Sequence, residues 1–100
     1  MMKLTDVIAK RLIDLGVNYV FGLQGGAVVH IFDSLERNGL KVIYNLHEQS
    51  AALGAVAYAK AASSIGCCVT TTGPGGTNAI TGVLGAWNVS VPCLFISGQV

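Results

Sequence analysis

Glu48 is the residue of this chain that is best placed for proton transfer. It lies in the run 47–50, His-Glu-Gln-Ser, where an apolar stretch, residues 42–46, gives way to an alanine-rich segment. A carboxylate with few charged neighbours at the mouth of a strand is poorly solvated, and a carboxyl of that kind suits general acid–base work. A glutamate in the first turn of a helix also favours the helix dipole without any catalytic role, so Glu48 alone does not decide the function.

Two glycine-rich turns, Gly22–Gly26 and Gly73–Gly76, follow other apolar stretches in the same way. Backbone N–H groups in such turns can hold a phosphate at a helix N-terminus. Neither turn matches the dinucleotide fingerprint G-x-G-x-x-G, because Asn78 takes the last position of the second one, and no Gly-Lys-Ser/Thr for a P-loop occurs. Each turn by itself is better explained as a tight connection from a strand to a helix.

The elements that must position these residues alternate between strands and helices. Apolar spacing predicts a first helix that is capped by Thr5 and ends near Leu15, and then four strands separated by three helices. The predicted strands are residues 17–21, 41–46, 66–71 and 93–96, the segment 73–77 is a turn, and the last helix carries Ile80, Val83, Leu84 and Trp87 at helical spacing.

Repeated strand–helix units form a parallel sheet with helices on both faces. The sequence therefore predicts an α/β fold, flavodoxin-like in outline and truncated after its fourth strand. In such a fold the two glycine turns and Glu48 meet at one edge of the sheet, which is where open α/β sheets bind ligands.

The second half of the chain is almost without charge. The chain is 52% hydrophobic and 11% charged, and residues 61–100 contain no Asp, Glu, Lys or Arg. An ordinary globular chain has about a quarter charged residues. We therefore expect this half to be buried against more polypeptide or a partner subunit.

Charge and cysteine usage exclude several classes of function. A net charge of +1 without a basic patch argues against nucleic acid. Glycine, asparagine and proline interrupt the apolar stretch 79–96, and the N-terminus lacks the apolar core of a signal peptide, so we expect no membrane span and a cytoplasmic protein. Cys67 and Cys68 are neighbours on a strand and point to opposite faces, so the cysteines are expected to be small buried thiols and no metal site is expected.

Four motifs, taken together in their order, carry a family resemblance. They are Val20-Phe21-Gly22-x-x-Gly25-Gly26-Ala27, His47-Glu48-Gln49, Thr72-Gly73-Pro74-Gly75-Gly76-Thr77-Asn78 and Ile96-Ser97-Gly98-Gln99-Val100. With these motifs the chain resembles the N-terminal pyrimidine-binding domain of thiamine-diphosphate-dependent enzymes. Within that group it is most similar to the acetolactate synthase large subunit, which serves branched-chain amino-acid biosynthesis.

The resemblance implies a role for each motif. Glu48 takes the place of the family's catalytic glutamate, which hydrogen-bonds N1′ of the aminopyrimidine of thiamine diphosphate. Gln24 and Gly25 are implied to line the pyrimidine pocket, and Pro74 and Asn78 to form another wall. The implied reaction decarboxylates a 2-oxo acid such as pyruvate and joins the two-carbon unit to a carbonyl acceptor, with the cofactor as electron sink.

The resemblance also implies a longer protein. Family members are several times longer, hold the diphosphate and Mg²⁺ in a C-terminal domain through a Gly-Asp-Gly…Asn motif, and in acetolactate synthases bind FAD in a middle domain. No Gly-Asp-Gly occurs in residues 1–100. These residues are therefore expected to form part of the N-terminal domain, to supply half of an active site and to be inactive by themselves. The longer protein is expected to be a homodimer or homotetramer.

Alternatives to an acetolactate synthase remain at this stage. The family usually carries proline where this chain has Gln24, which leaves the shape of the pocket open. Within the class, a related 2-oxo acid decarboxylase or a carboligase of deoxysugar or surface-polysaccharide synthesis is the alternative. From another class, the chain could be a non-catalytic binding module or a degenerate fragment, and a flavodoxin-like domain for a nucleotide or flavin is a third possibility.

Overall fold

The structure is a computed structural model that describes residues 2–99, so Met1 and Val100, the last residue of the fourth motif, lie outside the described part. Helices and strands alternate along it as the apolar pattern predicts. In chain order they are α1 (Leu4–Asp14), β1 (Tyr19–Gly22), a 3₁₀ turn (Gly26–Val28), α2 (Val29–Arg37), β2 (Lys41–Tyr44), α3 (Glu48–Ala62), β3 (Gly66–Thr70), α4 (Pro74–Asn78), α5 (Ile80–Asn88) and β4 (Cys93–Ser97).

The four strands form one parallel sheet in the order β2-β1-β3-β4. The prediction of an α/β fold with a parallel sheet is confirmed. Since β1 pairs with β2 on one side and with β3 on the other, the chain reverses its direction across the sheet between β1 and β3. A crevice opens outside the carboxyl ends of the strands at such a reversal, and ligands bind there in open α/β sheets.

The two faces of the sheet have cores of different composition. The core under α1 and α2 is made of large side chains, among them Phe32 and Leu35, which are fully buried. The core under α3 and α5 is made mainly of alanines. Cys67 belongs to the first core and Cys68 to the second, which confirms that neighbouring thiols on β3 point to opposite faces.

Small side chains let α5 lie very close to α3. A Cβ added at Gly82 would come within 3.0 Å of the Ala52 carbonyl carbon and 3.1 Å of its Cα, and closer still to its Cβ. The larger apolar side chains of α5 therefore face outward. Their exposed fractions are 59% for Ile80, 43% for Val83, 57% for Leu84 and 81% for Trp87.

Two details of the predicted elements are wrong. Thr5 does not cap α1, because the helix begins at Leu4 and Lys3 occupies the cap position without a side-chain hydrogen bond. The Thr5 hydroxyl instead lies 2.7 Å from the Ser34 hydroxyl of α2, which links the two helices. The segment predicted as a turn at 73–77 contains a short helix, α4, which Pro74 begins with its preset φ. In the part of the chain from 2 to 99, no helix is long and apolar enough to cross a membrane.

Candidate active site

Glu48 is the first residue of α3 and stands just past the carboxyl end of β2. His47 occupies the helix cap, and its Nδ1 accepts a hydrogen bond from the Gln49 backbone N–H at 3.1 Å. This cap satisfies one of the free N–H groups of the first turn and fixes where the helix begins. The imidazole of His47 is thus used to place its neighbour, Glu48, which is partly buried.

The Glu48 carboxylate has one oxygen bonded and one oxygen facing a glycine. Asn78 Nδ2 donates to Glu48 Oε1 at 3.1 Å, so two of the residues expected in the site are in contact. The other oxygen, Oε2, lies beside Gly75, where an added Cβ would stand 3.6 Å from it. Among residues 2–99, Oε2 has no hydrogen-bond partner, so it is available to a donor or acceptor that enters beside Gly75.

Thr71 lies between the two glycine turns, and the sequence motifs gave no indication of it. A Cβ added at Gly25 would come within 2.7 Å of both Cγ2 and Oγ1 of Thr71, and one added at Gly75 within 2.7 Å of Cγ2. Real Cβ atoms essentially never stand closer than 3.0 Å to such atoms. Both positions must therefore lack a side chain if the turns are to pack on Thr71 as they do.

The turn after β4 closes the same edge of the sheet. The Ser97 hydroxyl donates to the Thr71 carbonyl oxygen at 3.3 Å, and the Gly98 N–H donates to the Thr70 carbonyl at 2.9 Å. A Cβ added at Gly98 would come within 2.8 Å of the Ala27 Cβ. The four sequence motifs are thus the carboxyl ends of the four strands, and they pack on one another.

Gln24 contacts the edge strand β2 and not Glu48. Its Nε2 donates to the Tyr44 hydroxyl at 3.2 Å, and that hydroxyl donates to Glu36 Oε1. Burial and the carboxylate of Glu36 raise the pKa of Tyr44 to about 12, so the phenol keeps its proton and remains a donor. Pro74 is exposed at the start of α4. The structure therefore brings Glu48 and Asn78 into contact. Gly25 is separated from Gly75 by the side chain of Thr71. Gln24 and Pro74 lie on the rim of the site.

Asn45 holds a buried acceptor that was not foreseen from the sequence. Its backbone N–H donates to the Gly22 carbonyl at 2.8 Å, which places it beside the first glycine turn. Its side-chain Oδ1 is buried and has no hydrogen-bond partner among the described residues. An unpaired buried acceptor costs about 1–3 kcal/mol, and an N–H from a bound ligand would offset that cost.

A neutral thiol, that of Cys68, lies near Glu48. Burial, with smaller contributions from Cys93 and Glu48, raises the pKa of the Cys68 thiol to about 12, so this thiol is protonated near neutral pH. Within residues 2–99, no group of three His, Cys, Asp or Glu side chains could hold a metal ion. The described residues thus place the Glu48 carboxylate, bonded to Asn78, at this edge.

The fold and the site define a ligand-binding α/β domain with one carboxylate between glycine turns. The chain belongs to the family described as "Thiamine pyrophosphate enzyme, N-terminal TPP binding domain", whose model matches residues 2–100. The family resemblance read from the four motifs is confirmed.

Curated relatives are acetolactate synthase large subunits. The chain is 47% identical over 96 residues to the acetolactate synthase large subunit of Haemophilus influenzae, covering 95% of this chain and 17% of the relative. It is 46% identical over 85 residues to the isozyme 2 large subunit of Escherichia coli, covering 85% and 16%. It is 41% identical over 99 residues to the probable acetolactate synthase large subunit of Methanocaldococcus jannaschii, covering 99% and 17%. The chain thus spans about a sixth of the length of these relatives.

Proposed function

We propose that this chain is the pyrimidine-binding part of a thiamine-diphosphate-dependent carboligase of the acetolactate synthase type. The observation that carries the proposal is the Glu48 carboxylate, which has one oxygen on Asn78 and the other beside Gly75 at the carboxyl edge of the sheet. Family membership supports the cofactor, and the names of the relatives support the reaction.

The residues at this edge fit a flat, nitrogen-rich ring such as the aminopyrimidine of thiamine diphosphate. Glu48 Oε2 can share a proton with a ring nitrogen. Glycines at 25 and 75 let the backbone approach the ring closely. The uncharged second half offers no cation for the diphosphate, so we assign the diphosphate, Mg²⁺ and any FAD to parts of the longer protein beyond this chain.

In this proposal the chain's residues bind the ring and move one proton. Bound thiamine diphosphate supplies the electron sink that decarboxylation of a 2-oxo acid, such as pyruvate, requires. Glu48 exchanges a proton with the ring nitrogen through Oε2, and Asn78 fixes the plane of the carboxylate by donating to Oε1.

Glu48→Gln in the longer protein tests this role, because glutamine keeps the size of the side chain and cannot ionise. A positioned proton carrier contributes about 10²–10⁴-fold, so exchange of the C2 hydrogen of bound cofactor, followed by NMR, should slow by that factor. Glu36→Gln is the matched control, since Glu36 is an exposed carboxylate on α2 that bonds Tyr44. Unchanged exchange in the Glu48 variant rejects the assignment.

We propose further that the longer protein is at least a homodimer and that the outward face of α5 lies in the contact between subunits. The support is the row of exposed apolar side chains Ile80, Val83, Leu84 and Trp87. Such a patch on one helix marks an interaction surface. Sedimentation velocity tests the oligomeric state, and a monomer at all concentrations contradicts the proposal.

A further inference from the structure

Thr71 has no part in the chemistry proposed above, and yet it touches both walls of the site. Its side chain lies between Gly25, in the turn after β1, and Gly75, in α4. Gly75 in turn lies beside the Glu48 carboxylate, and α4 ends at Asn78, which donates to that carboxylate. A change in the size of the Thr71 side chain should therefore shift α4, which carries Gly75 and Asn78.

The contacts of Thr71 on its two sides differ. Toward Gly75, the methyl carbon Cγ2 alone is too close for an added Cβ, at 2.7 Å, and the next atoms, Thr71 Cβ and Glu48 Oε2, would be in ordinary contact at 3.6 Å. Toward Gly25, both branches of the side chain stand within 2.7 Å, and Cβ is closer still. The methyl group is thus the spacer on the side of the carboxylate, whereas the whole side chain fills the other side.

One hydrogen bond holds the Thr71 side chain in this orientation, and a second one holds its backbone. Its Oγ1 accepts from the Ala27 N–H at 3.4 Å, and its carbonyl oxygen accepts from the Ser97 hydroxyl at 3.3 Å. A β-branched side chain also has few rotamers to choose from. With Oγ1 turned toward Ala27, the methyl group is held toward Gly75.

We propose that Thr71 is a positioning residue whose methyl group sets the distance between the Gly25 turn and α4, and thereby places Asn78 and Gly75 against the Glu48 carboxylate. This inference rests on the proposed function of Glu48. A displacement of about 1 Å at a catalytic group can cost on the order of 10²-fold in rate, so a spacer of one methyl group is enough to matter.

A double-mutant cycle in the longer protein tests the spacer. Gly75→Ala should force Thr71 and α4 apart by several tenths of an ångström and lower kcat at saturating cofactor by about 10–100-fold. Thr71→Ser, which removes Cγ2 and keeps the hydroxyl, should lower kcat only a few-fold. The double variant should return to the kcat of Thr71→Ser, because the new Cβ then meets only atoms at 3.6 Å.

The matched control is the same cycle at Gly25. There Thr71→Ser should rescue little, since Cβ and Oγ1 still collide with a new side chain. Thr71→Val keeps a methyl group in the position of Cγ2 and should keep kcat within a few-fold, which separates the spacer from the hydroxyl. This variant decides the question even if Gly75→Ala fails to fold.

Three results would overturn the inference. One is a double variant with the kcat of Gly75→Ala, another is equal rescue at Gly25, and the third is a large loss of kcat in Thr71→Val. A double variant that recovers its thermal midpoint but not kcat shows a contact that serves packing alone. Failure of the proposed function gives a different result from failure of this inference. If the proposed function is wrong, the wild-type protein does not bind thiamine diphosphate in a calorimetric titration. The thermal midpoints of the variants then still report on the packing of Thr71.

Discussion

Gly82 and Gly85 lie one turn apart on α5 and should respond oppositely to the same substitution. Alanine at Gly82 places a methyl group against Ala52 of α3, within 3.0 Å of its carbonyl carbon and 3.1 Å of its Cα. Those are backbone atoms, which cannot turn aside as a flexible side chain can. Alanine at Gly85 meets only the Leu53 Cδ2, at 4.0 Å, which is an ordinary distance.

The expected changes in the free energy of unfolding follow from two effects. Alanine in a helix interior is favoured over glycine by about 1 kcal/mol. Overpacking typically costs about 1–3 kcal/mol, and a backbone collision belongs at the upper end. Gly82→Ala should therefore destabilise the fold by about 2 kcal/mol, whereas Gly85→Ala should stabilise it by up to about 1 kcal/mol.

Equilibrium urea unfolding followed by far-ultraviolet circular dichroism measures both changes. With a slope of about 1–2 kcal/mol per molar urea for a chain of this size, the midpoint should fall by about 1 M or more for Gly82→Ala and rise slightly for Gly85→Ala. If residues 1–100 associate, resistance of the longer protein to thermolysin gives the same ranking. Equal shifts of the same sign for both variants would refute the close contact between α3 and α5.

Two further predictions concern the surface. Leu84→Asp should dissociate the oligomer of the longer protein, because an unpaired charge in an apolar contact is costly. Leu4→Asp, at an exposed leucine of α1, should leave the oligomer intact. Sedimentation velocity of both variants tests the prediction, and an intact Leu84→Asp oligomer contradicts it. Hydrogen bonding from the Ser34 hydroxyl, aided by the Arg37 guanidinium, lowers the pKa of Asp6 in the folded chain. A carboxyl whose pKa is lower folded than unfolded stabilises the fold above its unfolded pKa of about 3.9, and that contribution is lost as the pH falls from there through the lower pKa of the folded chain. Asp6→Asn should thus be less stable than wild type at pH 7, and its deficit in urea midpoint should be smaller at pH 3. An equal deficit at both pH values contradicts the cause given.

The order of elements was predictable because each strand is followed by a helix, and that alternation allows little besides a parallel sheet. The sequence did not predict which side of α5 faces outward. Both its large side chains and its small ones recur at helical spacing, so the sequence pattern does not say which stripe packs on α3. The contact of Gly82 with Ala52, which lies thirty positions earlier in the chain, decides it.

The site was predictable in part for a similar reason. Glu48 and Asn78 stand out as motif residues, and they are in contact although β1 lies between the strands that they follow. The role of Gln24 in the pocket stays a prediction. Its contact with Tyr44 follows from the pairing of Gly22 with Tyr44, and strand register cannot be read from one sequence. Thr71 carries no motif signal, because its importance lies in distances to glycines on other strands.

The position of β1 inside the sheet has a consequence for how the chain is made. During synthesis β1 emerges before β3 and can pair with β2, but its other edge has to wait for β3, and the pairing of Phe21 with Cys68 joins residues 47 positions apart. Until then the core under α1 and α2 also lacks Cys67 and Val69. Pairings this distant are slow to form, and an open, apolar strand edge invites association with other chains. The nascent segment from α1 to α3 should therefore be prone to association until β3 has left the ribosome.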